Sequence, residues 1–186
     1  MEKDRVEWGN PGALGLACFG FTTILLQIHN IGLIDSVLPL VYGFFWGGAA
    51  QVLAGIIDGR RGDSFGMTAF ISFGFFWIGL SFAFLLQWLG VVALDNTGLA
   101  WLCICWGVFT AYMALATFKI SVAHAVIFIT LVVLFALLAL HFYGVLPAVV
   151  AGVEGIICGG AAVYTSAAVI LKEKYCRWVI PIGLFE

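Results

Sequence analysis

Few residues in this sequence can do polar chemistry, and nearly all of them stand alone inside long apolar runs. Thr22 and Thr23, Gln51, Thr68 with Ser72, Thr110, Thr130 and Glu154 are the main ones. A threonine hydroxyl can bond to the carbonyl one turn back on its own helix, so each threonine alone fits a structural role. Gln51 carries a carboxamide that needs a partner or water, which makes it a candidate for lining a polar path. Glu154 reads as the one carboxylate well inside an apolar run. It lies seven residues beyond Pro147, about 10 Å along a helix at ~1.5 Å per residue. His29 and His141 fall near the same face. Two readings compete for Glu154: a proton-linked carboxylate in an outer vestibule, or an interfacial glutamate that snorkels or touches a neighbouring helix.

Other reactive groupings do not assemble. His29, His124 and His141 sit near the ends of apolar runs and read as boundary residues. Cys103 and Cys105 are two apart, hence on different helix faces, which suits neither a metal nor a disulfide. No histidine or carboxylate cluster has metal-ligand spacing, and no strand–glycine-loop–helix unit could cradle a nucleotide. The expectation is no metal, no cofactor and no enzyme activity. One aromatic stripe, Phe70, Phe73, Trp77 and Phe84, reads as packing or lipid contact, or as an apolar gate that works by dewetting.

The elements that must hold these residues follow from charge. Of 186 residues 63% are hydrophobic, with 8 basic and 10 acidic side chains and a mean hydropathy of +1.13. Soluble domains carry about 25% charged residues. These figures exclude a soluble enzyme, a nucleic-acid binder and a disordered chain, and point to a multi-pass protein of the cell membrane. Charge-free stretches run over 8–34, 36–57, 64–94, 96–118 and 120–153. A span needs about 20 apolar residues, so the first four stretches hold one helix each, about 13–32, 37–57, 65–89 and 98–118. The fifth is too long for one helix and breaks at Tyr143-Gly144-Val145-Leu146-Pro147, giving helices at about 120–142 and 147–171. The predicted fold is an all-α membrane protein of six helices.

The basic residues fall at Lys3 and Arg5, Arg60 and Arg61, Lys119, and Lys172, Lys174 and Arg177. On a six-helix count all of them lie on one side, so the positive-inside rule predicts both termini in the cytoplasm. The expected organisation is a cytoplasmic segment 1–12, a transmembrane domain 13–171 and a cytoplasmic tail 172–186. The mixed charges at the start do not read as a signal peptide. The 23 glycines suit helices packed closely in lipid. Small residues recur at spacing four in Ala151/Gly155/Gly159, Gly43/Gly47 and Ala50/Ala54. Gly-Gly-Ala-Ala occurs at both 47–50 and 159–162, as a weak repeat or by chance.

The most specific local signal is Asn10-Pro11-Gly12-Ala13-Leu14-Gly15-Leu16. Physically it is a helix start, with Asn10 as N-cap and Pro11 at the first helical position. By pattern it resembles the N-P-x-P-L-G-L signature of the acetate uptake transporter family, which includes the bacterial succinate–acetate permeases. Ala13 replaces the second proline. Companion matches follow in family order: Thr22-Thr23-Ile24-Leu25-Leu26 with His29-Asn30, Gly47-Gly48 with Gln51, and Phe65 to Phe70. Trp106 to Thr110 and Pro181-Ile182-Gly183 complete the set. The resemblance implies a homo-hexamer in the lipid bilayer with one path per protomer. It implies acetate and related small monocarboxylates as cargo, with protons as the coupling ion. The family's Phe–Tyr–Leu constriction corresponds to Phe19, Phe73 and Leu131, so the tyrosine hydroxyl is missing here. Ala162 falls where the family's substrate preference responds to side-chain size.

The resulting expectation is a weakly polar path in which Asn10, Thr22, Thr23, Gln51 and Thr68 flank that apolar gate. A urea or amide channel of the same six-helix plan is the alternative. A non-transporting membrane sensor or scaffold fits less well, because the loops and tails are short.

Overall fold

The computed structural model describes residues 8–185; Lys3 and Arg5, which the topology reading uses, lie outside the described residues. Six rods are long and apolar enough to cross a membrane. In chain order the helices are α1 (Gly12–Asn30), α2 (Leu38–Phe44), α3 (Gln51–Arg61), α4 (Ser64–Trp88), α5 (Asn96–Thr117), α6 (Val122–Phe142) and α7 (Ala148–Tyr175). The second rod joins α2 and α3 through a π-helical turn, Phe45–Ala50. Five rods match the predicted spans to within a few residues at each end. Among the described residues the only β-type pairing is a single bridge between Ser121 and Leu184.

The second rod departs from expectation twice. The sequence predicts one helix ending near Ile57, whereas α3 continues to Arg61 and stops at Gly62, whose φ of 85° is left-handed. A wider π turn also interrupts it. The π turn coincides with close packing. A Cβ on Gly47 would lie 2.8 Å from Thr22 Cγ2, and one on Gly48 would lie 2.5 Å from Ile78 Cγ1. The Gly47-Gly48 pair lets this backbone wedge between α1 and α4, and the π turn spreads the ladder there.

The start of α1 also shifts. Pro11, not Asn10, is the N-cap, and its carbonyl accepts from the Gly15 N–H at 2.9 Å. Asn10 covers a free amide from one position earlier, its Oδ1 accepting from the Gly12 N–H at 2.9 Å. Asp63 and Asp95 cap α4 and α5 by accepting from Gly66 and Gly98.

Beyond Leu171, α7 runs on to Tyr175, and the chain after it folds back onto the body. The Tyr164 hydroxyl donates to the Pro181 carbonyl at 2.6 Å. The N–H groups of Val122 and Ala123 donate to the carbonyls of Gly183 (2.7 Å) and Ile182 (3.0 Å). These are amides of the first turn of α6, which the helix itself cannot satisfy. Pro181-Ile182-Gly183 therefore completes α6, and Ile182 is buried.

Two glycine crossings hold the bundle together. A Cβ on Gly20 would lie 2.7 Å from the Gly159 carbonyl, and a Cβ on Gly159 would lie 2.7 Å from the Gly20 carbonyl, so α1 and α7 touch backbone to backbone. The Ser166 hydroxyl donates to the Ala13 carbonyl nearby. Gly74 does the same for α4 against the second rod, with Gly48 O and Val52 N within 3.0 Å of its Cβ position. The two Gly-Gly-Ala-Ala segments do not share a conformation: 47–50 lies in the π turn and 159–162 in α-helix. Large apolar side chains such as Phe45, Val108, Leu115 and Ile157 cover the outer surface, as lipid contact requires.

Candidate functional site

Three cavities follow one another through the bundle. The first, about 360 Å³, lies at the end that carries Arg61 and is bounded by α1, α3, α4 and α6. The second, about 110 Å³, lies deeper. The third, about 670 Å³, lies at the opposite end, where His29, Asp35 and His141 face it. Phe19, Phe73 and Leu131 are the residues shared by the first and second cavities. Leu26, Asn30, Phe84, Leu138 and Phe142 are shared by the second and third.

The three side chains between the first two cavities come from α1, α4 and α6, and all are buried. The Phe19 and Phe73 rings sit with centroids 5.9 Å apart. Phe73 is further held by Trp106 at 5.5 Å, Phe109 at 5.4 Å and Phe128 at 6.2 Å. Edge and tilted contacts of this kind fix a ring as well as bury it. The surface presented to either cavity at this point is hydrocarbon, because position 73 brings no hydroxyl.

The expected polar contacts divide. Asn10 and Gln51 line the first cavity and Thr23 the second. Thr23 spends its hydrogen on its own helix, donating to the Phe19 carbonyl at 2.8 Å. Thr22 is buried with no partner for its hydroxyl among the described residues, and it packs against Gly47 rather than lining a cavity. Thr68, half-buried on α4, lines none of the three, and neither does the fully buried Ala162 on α7. Gln51 is 1% exposed, and its Oε1 has no hydrogen-bond partner among the described residues.

Glu154 does not face the vestibule in which the sequence reading sets it. Both carboxyl oxygens are enclosed without a partner among the described residues, and the residue lines none of the three cavities. His141, which the sequence sets near the same face, pairs through Nδ1 with the Leu146 carbonyl at 3.0 Å.

The sequence reading missed a group at the mouth of the first cavity: Asp58, Arg61, Asp63 and His124. Asp58 reads as a loop charge, yet it is 3% exposed on α3. Its carboxylate faces the Arg61 guanidinium at 3.8 Å. A Cβ at Gly66 would run into that carboxylate, so the glycine there makes room for it. The signal was present: Asp58 follows Gln51 by seven residues, two helical turns, which puts both on one face. His124 reaches the same cavity from the first turn of α6, where its Nδ1 lies 2.7 Å from the Ser121 hydroxyl.

A family model described as the GPR1/FUN34/yaaH family matches residues 2–185. The chain belongs to this family. It is 41% identical over 179 residues to the succinate-acetate/proton symporter SatP of Escherichia coli (strain K12), covering 94% of this chain and 95% of that protein. Acetate permease A of Emericella nidulans is 29% identical over 200 residues, covering 96% of this chain and 67% of the relative. The solved structure of the bacterial acetate channel SatP superposes with a TM-score of 0.92 at 40% identity, covering 95% of this chain and all of that one. The six apolar rods and this kinship identify a multi-pass protein of the cell membrane.

Proposed function

We propose that this protein carries acetate and related small monocarboxylates across the cell membrane, coupled to protons, through the constriction formed by Phe19, Phe73 and Leu131. The observation that supports it most directly is the meeting of two cavities at those three side chains, in a chain whose relatives are named for acetate and succinate transport. A narrow constriction suits a compact solute with a methyl end, and weak polar contacts on either side favour rapid passage. Asn10 and Gln51 supply such contacts on one side, and Thr23, Gln27 and Asn30 on the other.

Both termini face the cytoplasm in this reading, which makes the Arg61 end the inner mouth. Each protomer has its own path, and protomers assemble as a homo-hexamer. The test is uptake of radiolabelled acetate into liposomes carrying the purified protein, with and without a pH gradient, and with urea for comparison. Protein-dependent acetate uptake that a pH gradient accelerates is expected. Urea uptake without acetate uptake would replace this reading with the amide-channel one. An accessibility tag beside Arg60 that reacts only from outside would reverse the topology.

A further inference from the structure

Gln51 stands out chemically among the residues along this route. Its carboxamide is almost wholly buried, lines the first cavity and leaves Oε1 without a donor. The comparable amide on the other side is settled: Gln27 Oε1 accepts from Asn30 Nδ2 at 2.9 Å. An enclosed acceptor without a partner is costly, and it marks a place where something with an N–H or O–H belongs. A carboxylate ion has no hydrogen to give. An undissociated carboxylic acid does, and its two oxygens match a primary amide: acid O–H to amide C=O, amide N–H to acid C=O. The pair forms in either orientation of the carboxamide.

The charges around Gln51 point the same way. The groups facing the cavity from its walls are Asp58 and Arg61 at the end of α3, Asp63 beside the start of α4, and His124 on α6; Asn10, just ahead of α1, is neutral, and α7 contributes only Val169. Arg61 is already opposed to Asp58. With His124 neutral, two carboxylates against one guanidinium leave an excess negative charge, which disfavours a second anion. Beyond Gln51 the route narrows to the Phe19, Phe73 and Leu131 hydrocarbon, where an ion finds nothing to replace its water.

We propose that Gln51 is a recognition site for the undissociated acid, so that the transported proton travels on the cargo itself. This deepens the transport reading above and rests on it. The balance is simple: R–COOH enters the inner cavity or leaves it intact, and on reaching water dissociates to R–COO⁻ and H⁺. Each molecule moved then delivers one proton, no net charge crosses, and no protein group changes its protonation state.

The experiment uses the full-length protein in liposomes holding a pH-sensitive dye, with protein-free liposomes as the baseline. Protein-dependent acetate entry should acidify the lumen and ignore an imposed potassium-diffusion potential. Entry that follows the potential without acidification would overturn the proposal while leaving acetate transport standing. No protein-dependent acetate entry at all would sink both. A second arm needs no variant. Acetamide, which has donors and an acceptor, should compete with acetate, whereas acetone, of similar size with an acceptor only, should not. Equal inhibition by both would overturn the proposal. In a third arm, Gln51→Leu should lower acetate entry about tenfold, as expected for losing a buried hydrogen-bonding partner, and should abolish competition by acetamide. Full activity in a folded Gln51→Leu protein would overturn it as well.

Discussion

Truncating Leu131 to alanine tests the constriction with a change whose size the structure sets. Leu131 is 3% exposed and stands between cavities of about 360 and 110 Å³. With Phe19 and Phe73 at 5.9 Å the rings are in contact. Passage therefore requires Leu131 or a ring to leave its rotamer, at about 0.5–1.5 kcal/mol for a displaced side chain. Removing the leucine removes that step, and about 1.4 kcal/mol is a tenfold change in rate. The cost of bringing a polar group into hydrocarbon, ~2–7 kcal/mol, is untouched because the walls stay apolar. Acetate uptake by Leu131→Ala should thus rise by up to about tenfold. Propionate and butyrate should gain more, since their extra methylenes meet the missing side chain. The stability loss should lie near the low end of the ~2–5 kcal/mol seen for such truncations in cores, because open space already borders the site. Initial rates for the three acids in liposomes, alongside a thermal unfolding scan of the detergent-solubilised protein, measure both quantities. A folded Leu131→Ala protein whose propionate-to-acetate ratio equals that of the unmodified protein would refute the gate assignment.

Three further outcomes follow from the packing. Glu154→Gln should leave the pH profile of acetate uptake in place, because the residue lines none of the three cavities; a displaced profile would restore a proton-relay role. Gly159→Ala should lower the unfolding temperature, by overpacking of about 1–3 kcal/mol against the Gly20 carbonyl. Gly160→Ala, whose Cβ meets nothing within 4 Å, should not, and equal behaviour of the two would discount the α1–α7 backbone contact. Gly66→Ala should displace Asp58 from Arg61 and slow uptake with little change in unfolding temperature. An ion pair with so exposed an arginine contributes under about 1 kcal/mol, so a large thermal loss would mean that Asp58 is structural.

The six rods were legible because length and hydropathy alone define a span, and the turn at Tyr143–Pro147 because Gly144 and Pro147 cannot continue a helix. The π turn was not legible. Gly47-Gly48 reads the same way in any small-residue packing motif, and the side chains it packs against, Thr22 and Ile78, are far off in sequence. Asp58 hid for a different reason: with Arg60, Arg61 and Asp63 it looks like a solvated loop, and only the true end of α3 turns it inward. The fold-back of Pro181–Gly183 onto α6 is likewise a long-range pairing without a local sign. The trio at the constriction came from family resemblance; positions 19, 73 and 131 sit on three helices and share no spacing that physics alone would single out. Gln51, by contrast, was found by its chemistry, since a carboxamide in an apolar run demands a partner.

A π turn is an α-helix that has absorbed one additional residue without breaking. Deleting a single residue such as Ala49 from Phe45–Ala50 would let the second rod close into unbroken α-helix. Because the wider turn already takes up the additional residue, the halves on either side would keep nearly the same azimuth. Gln51 and Asp58 would still face the cavity, with Pro39 and Gly43 in their places. Deleting one residue from the regular helix between Gln51 and Asp58 would instead rotate everything after it by about 100° and carry Asp58 out of the cavity wall. The π turn is therefore a place where the second rod can lose a residue without re-aiming its polar face.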